Sequence, residues 1–305
     1  MTPQRTISGR AWAELMLLAL IWGGSFFSIA IALREVPVFT SVAHRVFWAA
    51  LVLWLVVLAR GYPLPRDPRV WAAFFVMGLL NNVLPFSLMA WGQTHIESGL
   101  TSILNAATAI FGALVAALFL ADERLTLRKV TGICLGFAGV VVAIGAEALA
   151  DLDIRSLAQI AVIGGTISYA FASVWARLRL GGLRPEVAAA GMLSGSSLVM
   201  LPLATLVDGP PSLALAPGTW LAIGYYAVVA TAGAYLLYYR VLAMAGAANL
   251  MLVTLLIPPT AILLGAAFLA ERLSVSAFLG LLLIGAGLLV IDGRILRRTR
   301  RRQTG

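Results

Sequence analysis

Charged side chains are scarce in this 305-residue sequence, at 11% of residues against about 25% in a typical soluble domain. Instead, apolar runs recur along the whole chain, and each could cross the ~30 Å hydrocarbon core of a bilayer at about 1.5 Å per helical residue. A soluble protein of this size could not bury so many helices that are apolar on every face. The composition therefore predicts an all-α integral membrane protein and excludes a soluble domain.

The sequence is also poor in residues that bind metals or carry out catalysis. It has one cysteine, Cys134, which can form no intramolecular disulfide, and its two histidines lack the spacing of metal ligands. None of the 13 acidic residues lies in the middle of an apolar run, and Glu14 comes closest. We therefore expect no metal, no cofactor and no catalytic residue. Because proton- and sodium-coupled carriers often hold a carboxylate within the membrane, facilitated exchange fits the sequence as well as proton antiport does.

An internal duplication is the most informative feature that is present. The segment Leu120-Ala-Asp-Glu-Arg-Leu-Thr126 recurs as Leu269-Ala-Glu-Arg-Leu-Ser274. Hydrophobic chains built from two similar halves are typical of transporters whose substrate site lies between the halves. Two glycines follow each copy at equal spacing and at an offset of 148 residues, Gly132 and Gly139 in the first half and Gly280 and Gly287 in the second.

The apolar runs, with the prolines and glycines between them, predict ten membrane-spanning helices joined by short connections. Five helices per half is an odd number, so the second half must enter the membrane upside down relative to the first. We therefore predict two inverted five-helix repeats, residues 1–148 and 149–293, followed by a basic cytoplasmic tail, residues 294–305. The predicted spans are residues 11–33, 38–59, 70–91, 98–120, 127–146, 157–178, 185–206, 218–240, 246–269 and 275–292.

The basic residues predict the orientation of these spans. With the N-terminus in the cytoplasm, 18 of the 22 Lys and Arg residues lie on the cytoplasmic side and three on the outer side. This asymmetry follows the positive-inside rule and places both termini in the cytoplasm. Because the Arg residues do not share one face, we interpret the tail as an orientation signal, although it could instead bind RNA or anionic lipid. The expected partners are the lipid bilayer and a small-molecule substrate, with no nucleic acid.

Polar side chains inside a span are costly unless they pair or face a wet cavity, so they mark candidate site residues. Asn81 and Asn82 precede Pro85 in span 3, and a proline cannot supply the N–H that would bond the carbonyl of Asn81. That carbonyl and the two amides could bind an ammonium or amide group of a substrate. An amide clamp between helices is an equally weighted alternative.

Other polar and aromatic residues recur on one face of several spans, at spacings of three and four residues. The hydroxyl groups of Ser and Thr often donate only to carbonyl groups of their own helix, so the Asn and Tyr residues are the stronger evidence for a cavity. Trp91 could frame an outer mouth, but a tryptophan near a span end is usually an interfacial anchor. The stripes predict a shared central cavity lined by Trp22 and Ser25 in span 1, Asn105 and Thr108 in span 4, Tyr169 and Ser173 in span 6, and Tyr235 and Tyr238 in span 8.

Two neighbouring residues in span 2 are candidates for gating or coupling. Arg45 cannot lose its charge, so it must find water, a carboxylate or carbonyl groups. It could attract a substrate carboxylate, but a structural role at a helix end or at the membrane surface is the preferred interpretation. His44 titrates in the range that proton coupling needs, yet no partner acid is identifiable.

Small residues in span 5 predict close helix packing. Gly132 and Gly136 form a small-xxx-small face, which permits two helices to approach closely. The face could mediate dimerisation, but packing within the first half is the preferred interpretation. We therefore expect a monomer or a weak homodimer.

The chain carries these further motifs: Trp22-Gly-Gly-Ser-Phe26, Arg45 two residues before Phe47, the two Glu-Arg-Leu turns and Pro258-Pro259. In these residues the sequence resembles the drug/metabolite transporter superfamily, specifically its EamA-type ten-helix exporters. Within that superfamily it is similar to bacterial amino-acid exporters of the YddG type. The resemblance implies a bacterial inner-membrane protein whose cavity is ringed by spans 1–4 and 6–9, with spans 5 and 10 at the periphery. Ala109 of span 4 stands where span 9 has Pro258, so the symmetry of these two spans is imperfect.

The predicted function is ATP-independent export of small amphipathic metabolites, with amino acids including aromatic ones among them, by alternating access. A multidrug or other metabolite exporter of the same fold is the alternative, and an intramembrane enzyme or a channel is less favoured. Catalysis would need a nucleophile beside a base or paired acids, and Ser194 and Ser197 have no nearby histidine. The two inverted halves favour a moving carrier over a static pore.

Overall fold

The computed structural model describes residues 7–96, 98–145, 156–268 and 275–292, and these residues form helices and no strand. Eight helices are long and apolar enough to cross a membrane, and two shorter apolar helices follow them. This architecture agrees with the predicted all-α membrane protein. We number the helices α1 (Gly9–Ala32), α2 (Val38–Ala59), α3 (Pro68–Gln93), α4 (Ser98–Ala106 and Thr108–Phe119), α5 (Leu127–Ile144), α6 (Leu157–Arg179), α7 (Pro185–Val207), α8 (Pro217–Ala245), α9 (Ala247–Leu250 and Val253–Phe268) and α10 (Val275–Asp292).

Prolines, glycines and capping side chains set the helix ends. The Asp67 carboxylate accepts a hydrogen bond from the backbone N–H of Arg69 at 2.8 Å, and Pro68 occupies the first position of α3. Gly145 and Gly246 follow α5 and α8 with φ angles of 113° and 88°, which glycine adopts without strain. The described helix ends lie within five residues of the predicted span ends. The predicted turn at residues 269–274 lies outside the described residues.

Most helix packing joins the first five helices to the last five. α2 packs along α7, α5 packs along α10, α1 contacts α8 and α9, and α6 contacts α3 and α4. α1 and α8 run antiparallel, because Trp22 bonds to Ala230 near their middle while Glu14 bonds to Arg240 at one end. The interior between these helices therefore belongs to both halves of the chain.

α5 and α10 meet through their backbones. A Cβ atom at Gly132 would lie 2.6 Å from the carbonyl oxygen of Gly287, and one at Gly139 would lie 2.8 Å from that of Gly280. Contacts this close require glycine, so the duplicated glycine pairs face each other across the two halves. The expectation that this face of α5 packs within the first half is therefore wrong, because α10 carries the matching glycine face.

The third helix of each half contains a π-helical segment, Leu79–Val83 in α3 and Tyr225–Gly233 in α8. A π turn bonds each carbonyl to the N–H five residues later, which widens the helix and rotates the side chains beyond it. Such segments are rare and occur frequently at functional sites. Both π segments lie next to the cavity described below.

Pro85 follows the π segment of α3 and determines where a carbonyl loses its partner. In the π-helical register, the carbonyl of Leu80 would accept a hydrogen bond from the N–H of residue 85, and a proline at that position has no N–H to donate. The hydroxyl of Ser168 in α6 donates to that carbonyl at 2.7 Å. The π register thus moves the freed carbonyl from Asn81 to Leu80, and a neighbouring helix satisfies it.

Candidate functional site

A cavity with an empty volume of about 930 Å³, its open mouth included, lies between the two halves. Its wall comes from α1 to α4 in the first half and from α6, α8 and α9 in the second. Among the described residues, none from α5, α7 or α10 lines it, so α7 departs from the expected ring of eight helices. The mostly apolar wall suits a small organic molecule.

Eight of the eleven residues predicted to bind substrate line this cavity, together with one of the two gating candidates. The stripes predicted on four helices therefore converge as expected. Amide, hydroxyl and aromatic groups are interspersed, which is the composition of a site for an amphipathic molecule. The predicted residues that line the cavity are Trp22, Ser25, Asn81, Asn105, Thr108, Tyr169, Tyr235, Tyr238 and Arg45.

Asn82 lies beneath the cavity rather than on its wall. Its amide nitrogen donates to Ser196 Oγ at 2.8 Å, and its amide oxygen accepts a hydrogen bond from the Tyr235 hydroxyl. The side chain is fully buried and links α3, α7 and α8. This geometry is the interhelical clamp, so the assignment of Asn82 to the cavity wall is corrected.

Three further predicted residues also lie off the wall. Ser173 Oγ donates to a carbonyl oxygen of its own helix at 2.8 Å, as buried Ser residues often do. Trp91 packs against His95 near the end of α3, with ring centroids 4.4 Å apart, which fits an interfacial anchor. His44 Nδ1 accepts a hydrogen bond from the indole of Trp48 at 3.1 Å, which places its ring among aromatic neighbours.

Aromatic rings form a large part of the wall. Tyr238 is central to them, with ring centroids 6.5 Å from Trp22 and 5.8 Å from Tyr235. The Trp22 indole N–H is fixed by a 2.9 Å hydrogen bond to the carbonyl of Ala230 in the π segment of α8. These rings can provide apolar contact area for a ligand at low entropic cost, because the protein already holds them.

Arg45 brings a permanent positive charge to the wall. Its Nε–H donates to Thr231 Oγ1 at 2.8 Å, and its guanidinium carbon lies 3.8 Å from the ring centroid of Phe86. The hydroxyl of Thr231 donates in turn to the carbonyl of Tyr226 at 2.7 Å, five residues earlier in the π segment. The cation is therefore held between α3 and α8 and faces the cavity.

One end of the bundle, which we call the Glu123 end, is closed by a buried carboxylate. Glu123 accepts hydrogen bonds from the backbone N–H groups of Ala247 and Ala248, at 2.7 Å each, where α9 begins. Glu123 and Asp122 also form ion pairs with Arg177 of α6. A carboxylate at a helix N-terminus is stabilised by the free N–H groups and by the helix dipole. These contacts join the two halves beneath the cavity.

The cavity extends toward the opposite end. Its wall includes Ile29 near the end of α1, Ser41 near the start of α2 and Gln93 at the end of α3. Toward the Glu123 end, the wall reaches Tyr238 and Met251. The described lining therefore runs from near the Glu123 end toward the opposite end of the bundle.

Sequence comparison identifies the family. The profile of the EamA-like transporter family matches residues 10–145 and again residues 156–292. The chain belongs to the EamA-like transporter family. The resemblance inferred from the sequence is thereby confirmed, and the protein is a multi-pass membrane protein.

Similar EamA-like proteins align with nearly the whole chain. An uncharacterized transporter of Bacillus subtilis, YoaV, is 21% identical over 90% of this chain and 94% of its own length. A probable terminal-alkyne amino-acid exporter of Streptantibioticus cattleyicolor is 27% identical over 98% of both chains. An uncharacterized inner membrane transporter of Escherichia coli, YedA, is 28% identical over 93% of this chain and 92% of its own.

A solved crystal structure has the same fold. It superposes with a TM-score of 0.76 at 21% identity and covers 92% of this chain and 98% of the other. The family and the three relatives above are named as transporters.

The EamA-like cavity also contains residues that sequence reasoning missed. The resemblance placed span 9 in the ring around the cavity, but no residue of α9 was named, because its contribution is apolar apart from the hydroxyl of Thr254 and no polar stripe marks it. The additional lining residues are Ile29, Ser41, Val42, Phe86, Met89, Ala90, Gln93, Tyr226, Met251, Val253, Thr254 and Ile257.

Proposed function

We propose that this EamA-like transporter exports small amphipathic metabolites, aromatic amino acids among them, across the bacterial inner membrane without ATP. The observation that carries the proposal is a cavity between the halves whose wall combines aromatic rings with amides and hydroxyls. Rings supply contact area to an apolar body, and a few polar groups orient its head. The relative named as a terminal-alkyne amino-acid exporter supports amino acids as the substrate class.

Ten spans in two inverted repeats are part of this proposal. Each helix of the first half has a counterpart five helices later. α1 contacts α8 and α9, and its counterpart α6 contacts α3 and α4, which are the counterparts of α8 and α9. α3 has the same direction as α1, because α8 is antiparallel to α1 and parallel to α2, and α7 is antiparallel to α2 and parallel to α3. α3 is antiparallel to α6, because Ser168 contacts Leu80 and Trp175 contacts Ala73. α6 thus enters opposite to α1, which is what inversion requires.

The same proposal also says which end of the bundle faces the cytoplasm and to which side of the membrane the cavity opens. The positive-inside rule places the Glu123 end and both termini in the cytoplasm, so the cavity faces outward and is closed inside. Alternating access then requires the Glu123 contacts to break when the cavity opens inward. A reporter fused to Gly305 should score as cytoplasmic. A reporter that scores as periplasmic would rule out an even number of spans.

Counterflow in proteoliposomes tests the transport function. Vesicles loaded with unlabelled tryptophan, phenylalanine or leucine should accumulate the labelled amino acid transiently, which only a carrier produces. Tyr238→Ala and Tyr169→Ala should slow tryptophan more than leucine, because the lost rings contact large side chains. Tyr62→Ala, a tyrosine off the cavity wall, is the control. Ohmic current without counterflow would identify a channel, and flux of drugs but of no amino acid would identify a multidrug exporter.

A further inference from the structure

The cavity carries an unbalanced positive charge. Among the residues that the structure describes, Arg45 is the charged residue on the wall, and no carboxylate lies beside it. Glu123 is engaged with Arg177 and α9, and Glu14 with Arg240, at the Glu123 end. A cation within the membrane is costly without a counter-charge. The protein nevertheless keeps this cation, without a counter-charge, on the wall of the cavity that a ligand would enter.

The surroundings of Arg45 fix the orientation of its guanidinium but leave the two Nη groups without a hydrogen-bond acceptor among the described residues. Nε is bonded to Thr231, and one face of the guanidinium lies on the ring of Phe86, which offsets part of the cost through a cation–π contact. No described residue accepts a hydrogen bond from Nη1 or Nη2. A guanidinium held in this way presents two parallel donors, which match the two oxygens of a carboxylate.

Tyr238 provides a second unsatisfied group on the wall. Its side chain is 1% exposed, and its hydroxyl has no hydrogen-bond partner among the described residues. A buried hydroxyl in this condition is unfavourable by itself and calls for an explanation. Because the oxygen is itself buried, a ligand oxygen or nitrogen in the cavity would satisfy it once the ring turns toward the cavity.

We propose that Arg45 binds the carboxylate of the transported molecule and that the Tyr238 hydroxyl bonds to the same molecule. This inference rests on the proposed function and narrows its substrates to amphipathic carboxylates. The neutral amides of Asn81 and Asn105 can face the ammonium of an amino acid without requiring one. Amino acids and simple organic acids are therefore substrates, whereas amines that lack a carboxylate meet an uncompensated cation and are excluded.

Matched ligands test the requirement for a carboxylate. Tryptophan, indole-3-propionate and tryptamine share one ring system and differ in the head group. With wild-type protein, the two acids should raise the melting temperature and compete in counterflow, and tryptamine should do neither. Arg45→Gln should weaken the acids about tenfold to hundredfold, the effect of losing a hydrogen-bonded charge. Arg45→Lys should retain part of the affinity because it keeps the charge without the fork.

Tyr238→Phe separates binding from folding. The hydroxyl has no partner among the residues that the structure describes, so its removal should leave the melting temperature of the empty protein unchanged or higher. Affinity for indole-3-propionate should nevertheless fall. If Arg45→Gln proves too unstable to purify, this variant and the wild-type ligand series still decide the matter.

The outcomes distinguish this inference from the proposed function. Counterflow of tryptamine equal to that of the acids, or acid affinities unchanged in Arg45→Gln and Tyr238→Phe, would overturn the carboxylate assignment while leaving a working carrier. Stabilisation by the acids alone, without counterflow of any compound, would support the assignment and refute the transport function. An absence of both stabilisation and counterflow by the acids would overturn both.

Discussion

Glu123 is buried and forms an ion pair with Arg177, which joins the turn after α4 to the last turn of α6. The same carboxylate caps α9, so one side chain connects three helices from both halves. Replacing Glu123 by Ala should lower stability by about 1–3 kcal/mol, because the backbone N–H groups of Ala247 and Ala248 lose their acceptor while Arg177 keeps only Asp122.

Glu123→Gln should have a smaller effect, because an amide oxygen can still accept the N–H groups of α9. Glu186→Ala, at an acid outside this cluster, is the control. Thermal unfolding of the purified variants should rank wild type above Gln and Gln above Ala. If Glu123→Ala melts at the wild-type temperature, the carboxylate does not hold this end closed.

Asn82→Ala should destabilise the protein without changing substrate affinity. The amide is bonded to both Ser196 and Tyr235, and its removal breaks these two buried hydrogen bonds, at about 1–3 kcal/mol. Melting temperature and ligand affinity, measured on one preparation of the variant, would distinguish a structural role of Asn82 from a role in binding. Loss of affinity at a normal melting temperature would return Asn82 to the binding site.

Gly287→Ala should destabilise the contact between α5 and α10. The added Cβ would lie 2.6 Å from the backbone nitrogen of Gly136, so the two helices would have to separate. Gly285→Ala is a matched control two residues earlier on the same helix, because a Cβ there meets nothing within 4 Å. The expected result is a lower melting temperature for the first variant and an unchanged or higher one for the second. Equal melting temperatures would mean that this contact is dispensable.

Transport should proceed without an imposed proton or sodium gradient. In the part of the chain that the structure describes, no Asp or Glu lines the cavity, so no acid is placed there to bind a coupling ion. Counterflow in vesicles with identical pH and salt on both sides is the measurement. Strict dependence on a pH difference would contradict this prediction and would direct attention to His44.

The sequence was sufficient to predict the helices, because apolar length and the prolines and glycines between runs are local signals. α2 spans the predicted residues 38–59, for example. The π segments were not predictable, since a five-residue register leaves no mark in side-chain pattern. For this reason Asn81 and Asn82 could not be separated: the register in Leu79–Val83 decides which of two adjacent amides reaches the cavity. The family resemblance included span 9 in the ring, but the apolar residues of α9 that line the cavity depend on tertiary packing and could not be named from the sequence.

The fixed charge of Arg45 has a consequence for the energetics of the transport cycle. A carrier loaded with a monocarboxylate would be neutral at this site, whereas the empty carrier keeps one positive charge. An inside-negative membrane potential would then favour the return of the empty site to the cytoplasmic side, by up to about 2.3 kcal/mol per 100 mV. Net efflux of indole-3-propionate should therefore accelerate when such a potential is imposed with potassium and valinomycin. In Arg45→Gln the same charge leaves with the anion, but the loaded site is negative and the empty site neutral, so the voltage acts on the loaded step instead. Exchange of indole-3-propionate, which uses only the loaded step, should therefore be insensitive to voltage in the wild type and sensitive in Arg45→Gln, and an identical response in both proteins would contradict the charge assigned to Arg45.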